Sequence, residues 1–251
     1  MNNTLLEKIQ NSIRESVTDS KIGVAFSGGV DSTLMAKICN DLNYNVTLLT
    51  VGFAGSHDVS FAKEINEFLN LRHKILEIDP LTFSNIASKI KKIIQTDNIS
   101  WNENSIAFYY VSELAQSLKL QTVVTANGID ELFCGYDAYR NAFSQGTSSV
   151  LKLMDSKIEN ELHMMNAVNE AVSEFNIKIV QPLLLPDFVK YARSLPLSDK
   201  IHSSDDYTRK HIIRALARDI GIPERSAFKR KKSLQYGSKI HKALMKSRRT
   251  C

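Results

Sequence analysis

An α/β fold built on an open parallel sheet with helices on both faces, continued by a C-terminal helical region, is predicted by three observations. Short apolar runs alternate with segments of helical spacing through the first half of the chain, two glycine-containing motifs each follow such a run directly, and beyond Asn141 the pattern is mainly helical. A soft boundary falls near residue 145, giving an α/β core with its N-terminal helix over 1–145 and a helical region with a basic tail over 146–251.

The elements follow in order. Leu5, Leu6, Ile9, Ile13 and Val17 recur at helical spacing, and at Lys21 the period changes to the apolar run Ile22–Phe26, read as a buried strand. The same alternation continues with a helix from Asp31 to about Asn43, a strand over Val46–Phe53, a helix from about Asp58 to Leu69 and a strand over Lys74–Ile78. A helical stretch over Ile106–Leu118 then leads into a strand at Thr122–Thr125. Further helices are expected over Glu161–Phe175, Phe188–Arg193 and Tyr207–Asp219. In such a sheet ligands sit beyond the carboxyl ends of the strands, so functional motifs belong immediately after strands.

The composition is that of an ordinary soluble globular protein: 251 residues, 43% hydrophobic and 24% charged. No apolar run approaches the roughly 20 residues needed to span a bilayer, and the start, Met1-Asn2-Asn3-Thr4, has no signal character; the expectation is a cytoplasmic protein. Cys39, Cys134 and Cys251 are odd in number and far apart, forming neither a disulfide framework nor a zinc spacing. Six histidines show no pairing on one helix face, and Trp101, Phe108, Tyr109 and Tyr110 read as packing. The net charge of +5 is concentrated in residues 225–249, which hold ten Lys and Arg and no acid. Such a tail serves nucleic acid, a nucleotide's phosphates or a solvated face equally well; nucleic acid is not the favoured partner.

Ser27-Gly28-Gly29-Val30-Asp31-Ser32 carries the strongest chemical signal. It lies between a strand and its helix, where glycines allow a sharp turn and close backbone approach, and the helix start favours an anion. Asp31 beside phosphate calls for a divalent cation, Mg²⁺ being the usual one. The purely structural alternative is a tight turn with Asp31 or Ser32 capping the helix. Neither a Walker loop nor a dinucleotide Gly-x-Gly-x-x-Gly occurs.

The motif resembles the S-G-G-x-D-S pyrophosphate loop of the N-type ATP pyrophosphatases on the adenine nucleotide α-hydrolase fold, of HUP type. That group includes asparagine, argininosuccinate, GMP and NAD synthetases and several tRNA-thiolating enzymes. Thr50–Asp58 and Thr125-Ala126-Asn127-Gly128-Ile129-Asp130-Glu131-Leu132-Phe133-Cys134-Gly135-Tyr136 are similar to the corresponding segments of asparagine synthetases, and Lys229–Gly237 to their basic segment. The resemblance covers most of residues 20–240. It implies ATP bound by Phe26, Ser27, Gly28, Gly29, Asp31 and Ser32, by Val51 and Gly52 near adenine, and by Thr125, Ala126 and Gly128. It further implies Mg²⁺ on Asp31 and Asp130, and Lys231 neutralising the departing pyrophosphate.

Two departures stand out. Asn127 occupies the position of a family glutamate that supports acyl-adenylate formation and attack by ammonia; an amide orients but does not accept a proton. The family stretch E-x-R-x-P-F-L-D reads here Lys178–Leu185 without its acid, arginine or final aspartate, with Asp187 two residues beyond. The amino-terminal glutaminase domain of asparagine synthetases is not expected in this sequence, since Asn2 follows Met1 and the phosphate loop starts at residue 27. The leading reading is therefore an amide-forming ligase that adenylates aspartate or a related carboxylate, with free ammonia, another amine or a separate glutaminase subunit supplying nitrogen; a homodimer is also considered. The alternatives are a non-catalytic ATP-binding subunit and a PP-loop tRNA-modifying sulfur transferase using Cys134.

Overall fold

A computed structural model describes residues 2–228 and 237–247. Its strands are β1 (Lys21–Ala25), β2 (Asn45–Gly52), β3 (Arg72–Glu77), β4 (Thr122–Val124) and β5 (Lys178–Val180). They form an all-parallel sheet in the order β3-β2-β1-β4-β5. The helices are α1 (Asn2–Ser16), α2 (Val30–Asp41), α3 (His57–Leu69), α4 (Pro80–Ile94), α5 (Ile99–Ser117), α6 (Ile129–Leu132), α7 (Ala138–Ser144), α8 (Thr147–Val172), α9 (Pro186–Ser194), α10 (His211–Asp219), α11 (Glu224–Ala227) and α12 (Ile240–Ser247).

Helices cover both faces because the strands are apolar on both. On one face Ile22 and Val24 of β1 pack with Leu5, Ile9 and Ile13 of α1, Leu34 and Ile38 of α2, Ile65 of α3 and Ile213 of α10. On the other, Leu49 and Val51 of β2 and Val123 of β4 pack with Ile90 of α4, Ile106 and Tyr110 of α5, Val168 of α8 and Leu244 of α12. The chain reverses direction across the sheet between β1 and β4, and the carboxyl ends of these two strands open the crevice in which such folds place ligands. The ladder continues just past the strands through Phe26 N–H to Leu49 O at 2.8 Å and Thr125 N–H to Val180 O at 3.0 Å, so both post-strand motifs leave the sheet from fixed points.

The open α/β architecture expected from the sequence is present, with four differences in its elements. A helix over Pro80–Ile94 was not foreseen; Asp79 caps it, accepting from Leu81 N–H at 2.9 Å, and Phe83, Ala87, Ile90 and Ile94 form its buried stripe. The helix expected from Ile106 begins at Ile99, where the Asn98 side chain accepts from Trp101 N–H. The region past Asn141 also contributes a strand: β5 pairs with β4 through Lys178–Thr122, Ile179–Val123 and Val180–Val124. Lys178 interrupts the apolar residues of this segment, so it lacks the continuous run that marks β4. The single helix α8 replaces the shorter one expected from Glu161.

Candidate active site

The loop after β1 is held by its own serines. Ser27 N–H donates to Ser32 Oγ at 3.2 Å, and Ser32 Oγ donates to Gly29 O at 3.2 Å. Gly28 has φ +77°, a left-handed conformation that a side chain would strain, and its carbonyl accepts from Ser226 Oγ at 2.8 Å. Helix α2 starts at Val30 with Gly29 as N-cap and no side-chain cap, so its first N–H groups and dipole face the crevice.

The loop after β4 is organised around Glu131, which is 3% exposed. Its carboxylate accepts from Gly128 N–H at 3.0 Å and from the Tyr136 hydroxyl, and its carbonyl accepts from the Tyr139 hydroxyl. This fixes Asp130 facing Asp31 across the mouth of the crevice.

Between these two carboxylates sits Lys210, which the sequence reading missed. Its Nζ lies 2.6 Å from Asp31 Oδ2 and 2.6 Å from Asp130 Oδ1, with its side chain 2% exposed. Burial opposes its charge, and the Asp130 and Asp31 carboxylates overcome that, so the net shift of its pKa is upward. Lys210 is delivered by a strained turn: Arg209 and Lys210 both have positive φ, 48° and 54°, each costing on the order of 1–3 kcal/mol for a side-chain-bearing residue. Asp206 over-determines the turn by accepting from Thr208 N–H and Arg209 N–H at 2.9 Å and from His202 N–H at 2.9 Å, with His211 Nε2 at 2.6 Å. Burial works against the Asp206 charge, but the Arg209 and His202 N–H bonds and His211 outweigh it and hold its carboxyl well below the ordinary range. This capture of backbone N–H groups is why α10 begins at His211 rather than at Tyr207. It also brings His202 and His211 together, their rings stacked at 3.5 Å, although sequence spacing showed no pairing. Arg214, one turn on, locks the same turn through Thr208 O and Arg209 O and ties it to Ala227 O.

The crevice encloses about 310 Å³. Phe26, Ser27, Gly29, Asp31 and Ser32 line it from the first motif, Thr125, Ala126, Asn127 and Asp130 from the second, and Val51 from the end of β2. Gly28, Gly52 and Gly128 lie behind this surface: Gly52 packs against Ser56 and Ser238, and Gly128 against Leu183 and Leu184. Lys231 lies outside the described residues. Phe108, assigned to packing, is buried and also lines the crevice. Asp187 is exposed in the first turn of α9 and away from the crevice, while Pro182, Leu183 and Leu184 are core.

A wall not anticipated from the motifs comes from α8, where Lys157, Asn160, Glu161 and Met164 line the crevice. Asn127 Nδ2 donates to Glu161 Oε1 at 2.5 Å. The signal was present as helical spacing: Glu161 falls on the buried stripe of Met154, Ile158, Met165 and Val168, a costly place for a carboxylate without a polar role. Cys134 is fully buried outside the lining, and burial pushes its thiol up to about 12, which makes it a poor nucleophile at neutral pH.

Two hard carboxylate oxygens converging on one cation, here an ammonium, form a donor set suited to Mg²⁺. Fold and site together give a doubly wound α/β protein whose switch point carries a glycine-containing loop, an uncapped helix start and two carboxylates facing one buried ammonium. Residues 4–180 match the family described as Asparagine synthase, and the chain belongs to that family.

Among its relatives, a Methanocaldococcus jannaschii protein named as a glutamine-hydrolyzing asparagine synthetase is 27% identical over 270 residues, covering 95% of this chain and 50% of that protein. The glutamine-hydrolyzing asparagine synthetase 1 of Arabidopsis thaliana is 26% identical over 80% of this chain and 36% of its own length. The chain thus spans about half, or less, of these curated relatives. Among solved structures, NMN synthetase from Francisella tularensis is 17% identical and covers 93% of this chain and 74% of that one, with a TM-score of 0.49. No helix among the described residues is long and apolar enough to cross a membrane.

Proposed function

We propose that the chain is the synthetase unit of an AMP-forming ligase that adenylates a small carboxylate, aspartate or a related acid, and passes the acyl group to ammonia or another amine. The observation that carries this reading is the meeting of Asp31 and Asp130 on one buried cation beside the uncapped start of α2. That arrangement suits a polyphosphate whose α–β bond is to break.

The chain's own groups divide the work. The α2 N–H groups, Ser27 and Ser32 bind the β- and γ-phosphates, Val51 and Phe108 offer apolar surface to the base, and Lys157 and Asn160 of α8 hold the acceptor. Asp31 and Asp130 would hold Mg²⁺, which when bound supplies neutralisation of the triphosphate charge. Lys210 keeps positive charge between the two carboxylates and sets their separation. The acceptor carboxylate attacks the α-phosphorus, the α–β bond breaks, and pyrophosphate is held on the loop with Lys231 assigned to its charge.

Incubation with α-labelled ATP, a panel of amino and keto acids and ammonium chloride tests the reading. AMP as the labelled product, dependent on one acid, supports it. ADP, or no product from protein that binds ATP, replaces it with phosphoryl transfer or with a non-catalytic nucleotide-binding subunit.

A further inference from the structure

We infer that Glu161 is the catalytic carboxylate of the amide-forming step, the group that takes the proton from the attacking amine; this deepens the ligase reading above and rests on it. Residue 127 cannot do this work. An asparagine amide donates through Nδ2 and accepts through Oδ1, and it takes up no proton near neutral pH.

The structure nevertheless puts a carboxylate at the same point, delivered by a different element. Glu161 Oε1 is 2.5 Å from Asn127 Nδ2, and Met165 Sδ lies 3.6 Å from that nitrogen. Glu161 is 5% exposed and borders the crevice. A carboxylate placed on the apolar stripe of a helix, aimed at the ligand cavity and touching the second motif, has the marks of a functional group rather than of packing.

Other acidic groups of the crevice are committed elsewhere. Asp31 and Asp130 grip Lys210, and Glu131 holds Gly128 N–H and the Tyr136 hydroxyl. Asp58 lies under Gly237 beside His57. Burial, with the charges of Glu131, Asp130 and Glu161, drives the Tyr136 phenol far upward, so it stays a neutral donor and does not compete as a base.

In the step assigned to Glu161, the amine nitrogen uses its lone pair to form the C–N bond at the acyl carbon. Its proton passes to a Glu161 oxygen, and the bond from the acyl carbon to the phosphate oxygen breaks, its electron pair leaving with AMP. Glu161 then returns the proton to solvent through the crevice. Asn127 orients the carboxylate and is a positioning residue.

The test separates the two half-reactions in Glu161→Gln, with Glu161→Asp and the exchanged pair Asn127→Glu/Glu161→Gln alongside. ATP–pyrophosphate exchange with the acid panel reads adenylation, and amide formation with ammonium chloride reads the second step. Exchange within about twofold of wild type, with amide formation down roughly 100-fold or more in Glu161→Gln and recovered at least about tenfold in the exchanged pair, is expected. Amide formation within about threefold of wild type in Glu161→Gln overturns the inference and leaves the ligase reading standing. Loss of both half-reactions in Glu161→Gln and Glu161→Asp that still bind ATP also overturns it, by placing Glu161 in adenylation. Absence of exchange in the wild type with every acid instead overturns the ligase reading itself.

Discussion

Replacing Lys210 by methionine keeps the length and apolar stem of the side chain and removes the one charge held by both Asp31 and Asp130. Each carboxylate oxygen is 2.6 Å from Nζ, so the two lie at most about 5 Å apart. At that distance, with an effective dielectric near 20, their repulsion is roughly 3 kcal/mol, in line with the ~3–5 kcal/mol lost when one partner of a buried ion pair is deleted. The carboxylates are 22% and 18% exposed, which favours the lower end, about 3 kcal/mol at pH 7. In the variant the facing carboxylates raise each other's folded-state pKa. A raised folded pKa adds stability as pH falls, so the deficit shrinks from pH 7 toward pH 5. Mg²⁺ narrows it as well, by supplying the missing positive charge. Urea denaturation of both proteins at the two pH values, with Mg²⁺ and with chelator, measures all of this. A loss below about 1 kcal/mol at pH 7, insensitive to pH and Mg²⁺, would refute the view that Lys210 holds the two carboxylates together.

Other perturbations have equally definite outcomes. Asp31→Ala abolishes Mg²⁺-dependent nucleotide binding or turnover with the fold intact by circular dichroism; unchanged affinity and rate would remove the first motif from the site. Gly135→Ala forces a methyl to within 1.8 Å of Asp130 Oδ1 and 2.5 Å of Lys210 Cε, so it displaces Asp130 and weakens nucleotide binding; wild-type affinity by calorimetry contradicts this. Burial, with Lys63 nearby, lowers the His73 pKa from 6.5 to about 4. The unfolded chain therefore takes up the proton first, and wild-type stability falls as pH drops from about 6.5 to about 4. His73→Gln flattens that part of the profile, and identical profiles would show that His73 is not responsible. Lys231→Ala slows pyrophosphate release far more than Lys232→Ala, and equal effects would show the assignment to be one residue off.

How much of this was legible in the sequence depends on the range of the interaction. Strands β1, β2 and β4 show as apolar runs, and the motifs after β1 and β4 show as glycine-containing turns, because adjacent residues write those features. Helix α4 was readable in principle from Phe83, Ala87, Ile90 and Ile94, but lysines and polar residues between them dilute the stripe. Strand β5 was not, since Lys178–Val180 acquires strand character only by pairing with β4. Lys210 was invisible for a stronger reason: its partners lie 179 and 80 positions away, and the left-handed turn that aims it uses Arg and Lys rather than the glycines that announce such turns. Glu161 stands between these cases, since its place on an apolar helical stripe is local but its contact with Asn127 is not.

ATP–pyrophosphate exchange reports acid-dependent adenylation at the crevice between β1 and β4 without requiring the nitrogen donor. With Mg²⁺ present and carboxylates offered one at a time, aspartate first, label enters ATP with one of them in the wild type and with none in Asp31→Ala. Failure of every acid to support exchange, in wild-type protein shown to bind ATP, rules adenylation out.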